Sequence, residues 1–118
     1  MAILSLLLLF STAQAATSPL ACKAIYRTLD EKNNTIERST ELSKRSFGGD
    51  VKHEADFEGK YFTLTEDKNG DLFAQITTAP DYTKGTVVRG AADSQGRFTA
   101  TEVVGYTIYR LECDRTQN

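Results

Sequence analysis

Tryptophan is absent from this sequence, histidine and methionine occur once each, and cysteine and proline twice each. With His53 as the only histidine, the chain has no companions for the multi-ligand sites that hold zinc, and no Ser–His–Asp order surrounds it. Basic excess is missing too: 14 Lys and Arg stand against 16 Asp and Glu, well mixed, for a net charge of −2. Without a basic stripe there is nothing to neutralise phosphates, so nucleic acid is not an expected partner. No basic amphipathic segment offers itself to a membrane surface. No apolar stretch reaches the roughly 20 residues that a spanning helix needs. Internal repeats and sustained helical periodicity are also lacking, which argues against solenoids, coiled coils and helical bundles.

What is present begins with MAILSLLLLFSTAQA. Ile3 to Phe10 is apolar but for Ser5 and runs into small and polar residues ending Ala13-Gln14-Ala15, the layout of a secretory signal peptide cleaved after Ala15. The apolar run has no Lys or Arg ahead of it. Residues 1–15 are therefore expected to be removed, leaving 16–118 as a single β domain in a secreted or periplasmic setting. Cys22 and Cys113 lie near the two ends of that domain. In an oxidising compartment such a pair reads as a disulfide. Two free thiols, or a lipidated Cys22, are the alternatives; Pro19 and the distance from Phe10 disfavour the second.

Short runs rich in Thr, Val, Ile, Tyr and Phe recur about every ten residues, separated by turn residues. They are Cys22–Leu29, Thr35–Ser43, Val51–Phe57, Lys60–Asp67, Asp71–Ala79, Gly85–Ala91 and Arg97–Cys113, the last broken near Gly105. Glu58-Gly59 fits a two-residue hairpin, Asn69-Gly70 is a strong hairpin signal, and Ser46–Asp50 reads as a loop. The expected fold is all-β: one antiparallel meander of about 7–8 short strands, closed into a barrel or folded into a two-layer sandwich. A disulfide between the first and last strands favours the barrel.

The stretch VKHEADFEG (51–59) frames the functional question. Strict alternation puts Val51, His53, Ala55 and Phe57 on one face and Lys52, Glu54 and Asp56 on the other. His53 thus belongs to the buried face, away from the nearest carboxylates, where it serves as a core residue or as the polar orienting group of a ligand pocket. Asp67–Asp71 begins like a calcium loop, but the sixth position is Leu72 and the twelfth Thr78, where Gly and a bidentate Glu are required. Asn33-Asn34-Thr35 is a glycan acceptor motif in a predicted loop. Neighbouring and alternating carboxylates such as Glu54, Asp56 and Glu66-Asp67 read as a solvated surface, since glycosidase chemistry needs two carboxyl groups facing across a cleft. No metal, cofactor or catalytic constellation is expected, and the protein is read as non-enzymatic.

Aromatic residues carry the remaining signal. Phe73 opposes the Leu72, Ala74, Ile76 face of its run, and Tyr61 opposes Phe62 and Leu64. Together with Tyr82 in the Pro80–Lys84 loop, they form the candidate contact set, with His53 as a separate interior candidate. The expected function is a protein-interaction module, an inhibitor being one form of it, working as a monomer or weak dimer on another extracytoplasmic protein through loops Ser46–Asp50, Pro80–Lys84 and Asp93–Gly96. The alternative is a small barrel carrying an apolar ligand around His53. The bulky inward set Val51, Phe57, Phe62, Leu64 and Ile76 favours the first. In size, strand count and terminal disulfide the chain broadly resembles the periplasmic lysozyme-inhibitor family. That family's Ser-Gly-x-x-Tyr signature meets only Glu58-Gly59-Lys60-Tyr61 here, without the Ser and one residue short, and no functional residue is carried over.

Overall fold

The computed structural model describes residues 18–116; the expected signal peptide lies outside the described residues. These residues form nine strands and no helix: β1 Leu20–Leu29, β2 Thr35–Glu41, β3 Ser43–Phe47, β4 Asp50–Phe57, β5 Lys60–Glu66, β6 Leu72–Thr78, β7 Gly85–Gly90, β8 Arg97–Val104 and β9 Thr107–Arg115. All pairings are antiparallel, in a four-stranded sheet ordered β2-β1-β9-β8 and a five-stranded sheet ordered β3-β4-β5-β6-β7. The order around the molecule is that of an up-and-down barrel, but the hydrogen-bonded ladder is interrupted at two seams. The expected barrel is therefore not closed, and the two-layer arrangement is the one formed.

Each seam has a local cause. At the first, β2 and β3 are nearly one strand that changes sheet at Leu42. Its amide still donates to Cys22 O at 3.0 Å on β1, while the next residue, Ser43, already pairs with Glu54 on β4. Leu42 is buried at this corner, which anchors the bend. At the second seam the chain passes from β7 to β8 through residues 91–96, and Phe98 packs beside Gly90 instead of the two strands pairing.

The inner faces fill the space between the sheets. Phe62, Leu64, Ala74 and Ile76 from the five-stranded sheet and Ala24, Leu111 and Cys113 from the other are fully buried, with Leu72 all but so. Cys22 and Cys113 are directly opposite on β1 and β9 and form the disulfide, so the expected pairing is present. Two ion pairs bridge the layers: Lys60 to Glu102 at 2.7 Å and Arg115 to Glu66 at 2.9 Å, all four side chains mostly buried.

The turns repeat one chemical solution. Asp30, Asp67 and Asp93 each open a turn, the first two in hairpins and the third in the β7–β8 connection, by accepting two backbone N–H groups on one carboxylate oxygen, from Lys32 and Asn34, Asn69 and Asp71, and Gln95 and Arg97, at 2.8 to 3.0 Å. The fourth residue of each, Asn33, Gly70 or Gly96, takes the positive φ. Asn69-Gly70 is thus not a two-residue mirror turn; only Gly70 is left-handed, and Asp67 closes the loop. Glu58-Gly59 does form the expected two-residue connection, with both residues at positive φ.

Candidate functional site

His53 sits on the inner face of β4, as the alternation requires, and is only 1% exposed. It lies beside the corner at Leu42, against an open cleft of about 360 Å³ lined also by Leu20, Cys22, Lys44 and Glu112. Its Nε2 has no hydrogen-bond partner among the described residues. Burial is the main reason its pKa lies below the ordinary histidine value, with Lys44 adding to the depression and Glu66 opposing it. The imidazole is therefore neutral at neutral pH. Glu66, read from the sequence as solvated surface, instead has a mostly buried side chain paired with Arg115; its place in the inward alternation Phe62, Leu64, Glu66 is the signal that marks it.

The opposite face of the same sheet carries a second site. Register places Asp56, Tyr61 and Thr77 in one cross-strand row and Glu54, Thr63 and Gln75 in the next. Odd and even positions on β4, β5 and β6 dictate that these side chains point away from the core. Above them comes Tyr82 from the β6–β7 connection, whose base is tied by Tyr82 N donating to Thr78 O and Thr78 N donating to Lys84 O, each at 2.9 Å. The Tyr61 and Tyr82 rings meet edge to face at 5.7 Å. Glu54, Asp56, Tyr61, Gln75, Thr77 and Tyr82 enclose a cleft of about 430 Å³.

Electrostatics define what this cleft offers. Tyr61 Oη donates to Glu54 Oε1 at 3.0 Å, and Arg45 Nε donates to Glu54 Oε2 at 3.0 Å. The Tyr61 bond is the chief cause holding the Glu54 carboxyl below its usual range, so it is ionised at neutral pH. Burial, and then the bond to Glu54, push the Tyr61 phenol up, which keeps its proton in place. Asp56 lies beside Tyr61 and makes no ion pair among the described residues. The cleft therefore presents two tyrosine rings and two carboxylates, one of them unpaired.

Tyr82 holds a φ of 59°. A bulky residue in the left-handed region is uncommon and costs about 1–2 kcal/mol relative to ordinary backbone. Glycine or asparagine would relieve that.

The four residues singled out from the sequence do not make one site. Tyr61 and Tyr82 come together. Phe73 shares their face but lies farther along it, beneath Arg89, whose guanidinium carbon is 5.8 Å from the ring centre. His53 is on the other side of the sheet. Of the three loops expected to make contact, Ser46–Asp50 contains the tight Gly48-Gly49 hairpin between β3 and β4 rather than an open loop. It lies at the end of the molecule opposite Pro80–Lys84. No protein-family model, curated protein or solved structure matches the chain, so the site rests on its own chemistry.

Proposed function

We propose that this protein is a non-catalytic interaction module of a secreted or periplasmic compartment, binding another protein through the outer face of its five-stranded sheet. One observation carries this reading: the Tyr61–Tyr82 pair, half-exposed over Glu54 and Asp56, with Tyr82 kept in an unfavourable backbone conformation. Tyrosines on a rigid sheet supply contact area with little ordering entropy to lose, and strained residues collect where function overrides stability. The disulfide fits the oxidising compartment. Glu54, held ionised by Tyr61 and Arg45, is set up to attract charge rather than to deliver a proton.

The test is affinity capture from the native host's extracytoplasmic extract, with the wild-type protein and Tyr82→Asn side by side. Asparagine tolerates the left-handed backbone, so the variant should melt within a few degrees of wild type. A retained protein that is lost with the variant is the expected result. Identical retained sets for both proteins would contradict the reading.

One observation favours a second reading, a small-ligand carrier: the orphaned Nε2 of His53 beside the corner cleft. A bound small mass in the native mass spectrum, lost in His53→Phe, would support it over the first.

A further inference from the structure

We infer that the Tyr61–Tyr82 cup receives one cationic side chain of the partner protein, an arginine guanidinium. The inference rests on the protein-binding reading above and names the group recognised. Three other rings of the protein, though not its most exposed one, Tyr106, lie against cations of its own. Arg45 lies over Phe47 at 5.9 Å, Arg89 over Phe73 at 5.8 Å and Lys60 over Tyr109 at 4.9 Å. Two of those three pairs are on the same sheet face as the cup. The Tyr61–Tyr82 pair has no cation over either ring among the described residues, yet it stands beside the acidic pair of that face. The electron-rich faces of the rings and the unpaired Asp56 carboxylate are thus complementary to a positive group that the chain itself does not supply.

Geometry separates arginine from lysine. A planar guanidinium can lie along the Tyr82 ring and donate two parallel N–H bonds to Asp56, while an ammonium acts as a point charge with a tightly held hydration shell. The cleft's volume of about 430 Å³ accommodates a guanidinium and its alkyl stem. Gln75 Oε1 already accepts from Thr63 Oγ1 at 3.4 Å, and Thr77 Oγ1 donates to Tyr61 O at 3.4 Å. These bonds occupy the Gln75 carbonyl and the Thr77 hydroxyl proton, and leave the Asp56 carboxylate as the charged group of the cup without an ion-pair partner among the described residues.

The experiment is a ¹H–¹⁵N NMR titration of the disulfide-bonded protein with N-acetyl-arginine amide, N-acetyl-lysine amide and N-acetyl-norleucine amide. The arginine amide should shift the resonances of Asp56, Tyr61, Thr77 and Tyr82 and saturate at millimolar concentration. Asp56→Asn should weaken it by about tenfold, the scale of one charge-assisted hydrogen bond. Norleucine amide should leave the spectrum unchanged. Absence of shifts with the arginine amide overturns the inference. Stronger binding of the lysine amide overturns the choice of arginine. Equal shifts from norleucine amide overturn the cationic cup altogether, while leaving capture of a partner through this face intact as an apolar contact. Loss of that capture would instead remove the protein-binding reading itself.

Discussion

Removing the disulfide is the perturbation whose size can be worked most directly from this fold. Cys22 and Cys113 face each other on the two central strands of the four-stranded sheet, separated by 91 residues in sequence. On the chain-entropy model, closing a loop of that length restricts the unfolded chain by about 4.5 kcal/mol at 25 °C. Both sulfurs are buried, so an alanine pair adds a small packing loss of its own. For a domain of about 100 residues each kcal/mol moves Tm by about 4–8 °C, so Cys22→Ala/Cys113→Ala should melt about 20–35 °C below wild type. Differential scanning calorimetry of oxidised wild type, reduced wild type and the double variant is the assay. The last two should melt together, and urea titration should give them a larger m value because their unfolded chains expand. A double variant melting within about 4 °C of oxidised wild type, the shift of about 1 kcal/mol, would refute the reasoning.

Other consequences follow from single groups. Lys60 links the layers, reaching Glu102 at 2.7 Å and donating to Thr78 Oγ1 at 2.6 Å; Lys60→Met leaves Glu102 unpaired and should cost about 2–3 kcal/mol in chemical denaturation. Burial holds the pKa of His53 below its ordinary 6.5, so below that pH the unfolded chain binds more protons than the folded one and stability falls as pH drops. His53→Gln, lacking the group, should flatten the stability-against-pH curve between about pH 6.5 and 5, a window in which no other side chain ordinarily titrates. A Cβ at Gly85 would sit 2.0 Å from Ile76 O and 2.8 Å from Thr77 Cα, so Gly85→Ala should destabilise by about 1–3 kcal/mol. Because Gly85 closes the loop that carries Tyr82, the same change should also weaken partner capture.

Alternation made much of the architecture legible. It placed His53 inside, Tyr61 and Phe73 outside, and the apolar set Phe62, Leu64 and Ile76 in the core, because one-sided burial forces a period of two. It failed at β3: Ser43–Phe47 is exposed along its whole length, so SKRSF carries no apolar period, and Gly48-Gly49 looked like a loop. Nor does a sequence announce that one strand continues into another sheet. Leu42 makes that bend through its own burial and the hydrogen bond its amide N–H donates to Cys22 O, a contact across 20 residues with no local signature. Hence the seams, and the difference between barrel and sandwich, came only with the structure. The cup was half visible. Tyr61 and Tyr82 were identifiable as aromatics outside the core pattern. Their meeting with Glu54 and Asp56 depends on cross-strand register and on where the β6–β7 loop folds back.

The central claim is that this sheet face, centred on Tyr82, meets a protein partner. Site-specific photocrosslinking in the native host tests it most directly, with a benzophenone amino acid replacing Tyr82 and, separately, Thr101, which is exposed on β8 in the other sheet. The account predicts one discrete crosslinked adduct from position 82 and none from position 101. No adduct from position 82, or equal adducts from both, would contradict it.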